Sequence, residues 1–146
     1  MITFRDYITE STSKNLSRVN IRNDSVDLYQ IIKKYYKPSG HSSWTERENI
    51  EFVEDILHDI PHGVIYLDED KDGKLSLLHG YEKIHAVVEF MDNKFKIHTD
   101  GKEHTYDEMA NRSKNKLDAV EFRTHVVPSD TTPEMRARIK NRYNKN

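Results

Sequence analysis

The chain contains no cysteine. Disulfides, thiolate nucleophiles and zinc sites of the cysteine type are therefore excluded. No apolar run approaches the ~20 residues that cross a bilayer as a helix. The opening Met1-Ile2-Thr3-Phe4-Arg5-Asp6 lacks the long apolar stretch of a signal peptide. Together these features point to a cytoplasmic protein with no membrane partner. Charge of one sign is also missing: 23 basic residues face 25 acidic ones, for a net charge of −2. The chain as a whole thus has no electrostatic pull on nucleic acid, although local patches can still exert one. Internal repeats and low-complexity tracts are absent as well. Against a modest 35% of hydrophobic residues stand 33% charged ones. What favours folding is arrangement, because the apolar residues recur at helix and strand spacings. A length of 146 residues suits one domain with a real core.

Residues 2–8 and Leu16 to Ile21 carry short, imperfect strand patterns. Asp24 or Ser25 is placed to cap a helix whose inner face is Leu28, Ile31, Ile32 and Tyr35. Pro38-Ser39-Gly40 ends it. Thr45-Glu46-Arg47-Glu48 is a capping box opening a second helix, with Val53, Ile56, Leu57 and Ile60 as its apolar side and Pro61 as its stop. Strands are expected at Val64 to Leu67 and Lys74 to Leu78, joined by a turn from Asp68 to Gly73. A helix after His79-Gly80 buries Ile84, Val87, Val88 and Met91. Phe95 to His98 reads as a strand and Asp100-Gly101 as a tight turn. Tyr106 to Ala110 reads as a short helix, and Val120 to Val127 as a strand by its alternation. Thr132-Pro133 opens a final basic helix, with threonine at the cap and proline in the first turn. Strands and helices mixed in this order give an α+β (mixed α/β) domain: a small mixed sheet with helices packed around it.

Four constellations could carry chemistry. Asp68-x-Asp70-x-Asp72-Gly73 opens like a calcium loop, but the twelfth place is His79 where a bidentate Glu is required. The alternative is an acidic hairpin turn. Leu77 to Ile84 is a strand–loop–helix junction. Gly80 there allows close backbone approach, and the helix start offers N–H groups to an anion. Lys83 would add charge, and Glu82 and His79 are the acid–base candidates. The competing reading is an ordinary turn. The eight histidines are scattered, and Pro61 breaks the register between His58 and His62, so no metal site is expected. The last helix carries Arg136, Arg138, Lys140 and Arg142, suited either to phosphate contacts, with aromatic help from Tyr143, or to solvent. Trp44, after a polar loop, is expected to bury its ring.

Taken in order, these segments resemble a known family. Asp59-Ile60-Pro61-His62-Gly63, the strand Val64-Ile65-Tyr66-Leu67, the acidic glycine turn, the x-Gly-x-x-basic junction and Glu89 to Phe95 resemble the N-terminal domain of GmrSD-type restriction enzymes. That domain is a branch of the ParB/sulfiredoxin-like fold. Val126-Val127-Pro128, Thr132-Pro133-Glu134 and Arg138 to Asn144 resemble its C-terminal pattern. The resemblance implies a ParB/sulfiredoxin-like core over residues 25–143, an N-terminal extension or strands over 1–24 and a frayed tail at 144–146. It also implies a nucleotide loop. The family's Asp-Gly-Gln-Gln-Arg falls on His79, Gly80, Tyr81, Glu82 and Lys83, so the glycine alone is kept and a lysine stands for the arginine. Lysine does not reproduce bidentate phosphate geometry. The family's Gln-Arg-Pro-x-x-Trp falls on Ser39 to Trp44, keeping the tryptophan and placing His41 in the loop.

Two polar motifs have departed while the apolar frame persists. The expectation is a stand-alone, non-catalytic binding or regulatory module. Its partner would be a protein of a host or defence system, as suits a phage or mobile-element antagonist. A nucleotide binder or hydrolase, using magnesium and NTP through Gly80, Tyr81, Lys83 and His41, is the alternative. A nucleic-acid binder through the last helix is a third reading.

Overall fold

A computed structural model of the protein describes residues 21–144. The strand pattern at residues 2–8, and that of Leu16 to Ile21 up to residue 20, lie outside the described residues. The first strand, β1 (Arg22–Asp27), runs directly into helix α1 (Leu28–Tyr35). The cap is Asp27, whose carboxylate accepts the N–H of Gln30 at 2.9 Å. Neither Asp24 nor Ser25 caps the helix, because both sit in β1 paired with β6. The ordered core thus begins before residue 25. Leu28, Ile31 and Tyr35 are buried as their spacing requires.

Helix α2 (Glu46–Leu57) starts on the complete capping box of Thr45 and Glu48. It ends before the proline signal, and this corrects one expectation. Asp59 turns the chain at φ +58°, so Ile60 leaves the helix face and is 46% exposed. Strand β2 (Val64–Glu69) and strand β3 (Leu75–His79) form a hairpin. Its turn is the acidic one: Asp70 accepts the N–H groups of Asp72 and Lys74 at 2.9 and 2.8 Å. Helix α3 (Tyr81–Met91) follows at once. Its Ile84, Ala86, Val87 and Phe90 are buried, with Val88 and Met91 half-buried against the core.

A small hairpin of β4 (Ile97–Thr99) and β5 (Lys102–His104) turns at Asp100-Gly101, both at positive φ. The short helix expected at Tyr106 to Ala110 does not form: residues 106–109 make a turn and a bend. The helix lies later, as α4 (Asn111–Asp118), a polar stretch in which Leu117 alone is buried. Strand β6 (Glu121–Val127) buries Phe122, Thr124, Val126 and Val127. Helix α5 (Pro133–Asn144) closes the described chain, and the Thr132 hydroxyl accepts the N–H of Met135 at 3.3 Å.

The main sheet has the order β1-β6-β2-β3. β6 is antiparallel to β1 and parallel to β2, and β2 is antiparallel to β3. Ile65, Leu67, Phe122 and Val126 on one face of the sheet belong to the core built with α1, α2 and α3. The molecule is a small mixed α+β domain. No helix among the described residues is long and apolar enough to cross a membrane.

Candidate functional site: the loop between β3 and α3

Gly80 sits where β3 becomes α3, at φ +118° and ψ 10°. A side chain there would be strained whatever the space, and the space is also missing. A Cβ would stand 3.0 Å from Cγ1 of Ile65, a fully buried residue of β2. Backbone angle and close packing on β2 therefore both demand glycine. Helix α3 takes no side-chain cap. Its first bond closes within the turn, from the Lys83 N–H to the Gly80 carbonyl at 3.1 Å.

The polar side chains of the loop bond to other parts of the protein. The Tyr81 hydroxyl donates to the Lys37 carbonyl, and its ring lies against Gly40. The same ring stacks on Tyr36, with centroids 5.9 Å apart, and on His85 at 5.7 Å. Burial lifts the Tyr81 hydroxyl above its ordinary pKa, and the nearby Glu89 and Glu82 add to that. Glu82 accepts from the Ser43 hydroxyl at 3.1 Å. Lys83 reaches back over Gly63 and donates to the Val64 carbonyl at 3.3 Å. Desolvation holds its ammonium below the usual lysine range. His79 packs near Tyr66, with ring centroids 6.2 Å apart. Burial pushes the His79 pKa down; Glu82 opposes that shift and Lys83 adds to it.

The fold thus brings together two segments that lie 35 or more residues apart in sequence, 37–44 and 79–83. His41 is exposed. Trp44 anchors the loop's end, its ring edge-on to Phe52 at 5.4 Å. Sequence reasoning missed the stack of Tyr36, Tyr81 and His85. The adjacent tyrosines at the end of α1 were the signal available for it.

A second imidazole stands beside this site. His62 is wedged between Phe52 and Phe122, and its Nε2–H donates to the Glu121 carbonyl at 3.2 Å. Burial depresses its pKa, partly offset by that hydrogen bond, and Lys83 depresses it further.

Of the cations on the last helix, Arg136 is tied inward. It pairs with Asp68 and donates to the Pro128 carbonyl at 2.9 Å. Arg138, Lys140 and Arg142 are exposed. Among the described residues, no group of three or more histidine, aspartate or glutamate side chains is arranged to hold a metal ion. Compared with known protein families, with curated proteins and with solved structures, the chain matches none.

Proposed function

We propose that the chain is a non-catalytic binding or regulatory module, a degenerate relative of the GmrSD-type, ParB/sulfiredoxin-like domains that engages a protein partner in the cytoplasm. One observation carries the reading. In the loop that the resemblance marks as a nucleotide site, Tyr81, Glu82 and Lys83 all bond to the protein itself. A phosphate-binding loop keeps its donors turned outward for the ligand. Here the same residues clasp the 37–44 segment and the start of β2, which suits a loop retained for the fold.

The alternative, a nucleotide binder, draws on a different observation. The start of α3 has no side-chain cap, and the charge of Lys83 is close enough to His62 and His79 to act on both. An anion would be favoured there. Thermal denaturation with millimolar ATP, GTP, CTP or UTP, with and without magnesium, separates the two. The binding module shows no shift. A clear rise in melting temperature with one nucleotide, lost in Lys83→Ala, would replace it with the nucleotide reading.

A further inference from the structure

The chain carries two Asp-Gly steps, Asp72-Gly73 and Asp100-Gly101, each exposed at the tip of a hairpin and each followed by lysine. An aspartate before a glycine can react with its own backbone. The glycine nitrogen attacks the aspartate carboxyl group, a five-membered ring closes with loss of water, and hydrolysis reopens it on either side. The reaction needs a glycine N–H that is not already bonded and a turn that can move. Their near-identical sequences do not separate the two steps, but the fold does.

The β2–β3 turn is tied down. The Gly73 N–H donates to the Asp70 carbonyl at 3.0 Å, and the Asp70 carboxylate holds the N–H groups of Asp72 and Lys74. The Gly73 nitrogen must break its bond before it can attack. The β4–β5 turn has no such ties. It is a two-residue turn between Thr99 and Lys102, with Asp100 at φ +53° and Gly101 at φ +77°. Among the described residues, the Gly101 N–H has no acceptor, and the Asp100 carboxylate has neither a hydrogen bond nor an ion pair. A Cβ built on Gly101 meets nothing within 4 Å, so the peptide has room to swing. Asp100 also holds a left-handed backbone that residues with side chains seldom adopt. Three residue pairs close this hairpin, and so short a two-stranded sheet opens readily.

We propose that Asp100-Gly101 is a self-modification site at which the folded chain forms isoaspartate. The Gly101 nitrogen attacks Cγ of the Asp100 carboxyl group in its acid form. The N–Cγ bond forms, the Cγ–O bond breaks, and the amide proton leaves with the hydroxyl as water. Water then adds across one of the two C–N bonds of the ring. Opening at Cγ restores aspartate. Opening at the backbone carbonyl carbon routes the main chain through Cβ and Cγ and frees the α-carboxylate. The product has the composition of the starting chain, so no oxidant or reductant takes part. The lengthened tip no longer fits a two-residue turn, and Thr99 and Lys102 lose their register. The freed carboxylate is the chemical class of substrate for enzymes that methylate isoaspartate. None of this depends on the binding-module reading.

The test ages the full chain in warm, mildly acidic buffer over several weeks, once folded and once unfolded in urea. Isoaspartate is located by electron-transfer fragmentation of the chain's peptides and counted by enzymatic methyl transfer to the new carboxylate. In the folded chain it is expected to build up at Asp100 several-fold faster than at Asp72. In urea the two positions are expected to react at similar rates, because each is then an unconstrained Asp-Gly step. Equal or faster reaction at Asp72 in the folded chain overturns the inference, as does a folded chain that forms no isoaspartate at Asp100. A preference for Asp100 that keeps its full size in urea would belong to the local sequence and would overturn it too.

Discussion

The loop after β3 and the turn at the end of α2 are built on opposite plans. In the loop, residues of the kind that meet ligands are folded inward: Tyr81 under the 37–44 segment, Glu82 on Ser43, Lys83 on Val64. At the end of α2, a residue of the kind that fills cores is turned outward: Ile60 is 46% exposed. Residue type alone thus misassigns both. Burial cost and the local backbone decide which side chain is available to a partner.

Gly80→Ala should give the sharpest contrast. A positive-φ alanine plus a 3.0 Å approach to Ile65 combines backbone strain with overpacking. A loss of about 3 kcal/mol in urea denaturation is expected. An effect under about 0.5 kcal/mol, ordinary for a surface turn, would mean the loop carries no weight in the fold. Next is Lys83→Met. Desolvation disfavours the ammonium in the folded state, so an apolar side chain of similar length should match or exceed wild type in melting temperature. A marked loss would show that the Val64 hydrogen bond outweighs the buried charge.

His62 gives a pH test. Its pKa in the folded state lies below the ordinary histidine value of 6.5. The unfolded chain therefore binds the proton first as pH falls. The stabilising preference for neutral imidazole is complete above about pH 6.5, and it is lost as pH drops below that value through the folded pKa. His79, shifted the same way, contributes in the same window. A His62→Gln variant should show a shallower decline of stability between neutral and mildly acidic pH; an unchanged slope would assign the whole decline to other groups. Smallest of all is Ile60→Ser, which should change stability by less than about 0.5 kcal/mol. A large loss would place Ile60 in the core and end the comparison.

Much of the frame was legible in the sequence. The capping box at Thr45, the β2–β3 turn and the alternation along β6 are local signals, and each forms as its residues dictate. Gly80 was legible as special, though its reason is contact with Ile65 as well as its backbone angle. What failed depended on partners distant in sequence. Asp24 and Ser25 look like caps until β6 pairs with them. Helix α4 has almost no apolar stripe, because only Leu117 enters the core. Ile60 fits the helical spacing of Val53 and Ile56, and nothing in that spacing reveals that α2 stops at Leu57. The pairing of Arg136 with Asp68 joins two segments through the end of the sheet. The strand–loop–helix junction at Gly80 forms as its residues suggest, but the partners of its side chains were not legible. Those partners depend on the 37–44 segment lying across it.

The strand order has a consequence in time. β1 and the β2–β3 hairpin are all made early, yet neither pairs with the other, since β6 lies between them. Until a ribosome has released the chain through Val127, β1 and the β2–β3 hairpin lack the strand that both pair with in the fold. Unpaired strand edges invite pairing with other chains. Folding then waits on one distant, partly parallel strand, a slow kind of contact to form. The nascent chain is therefore most exposed to aggregation just before its sheet closes, and a chaperone or a slow stretch of translation would matter most at that moment.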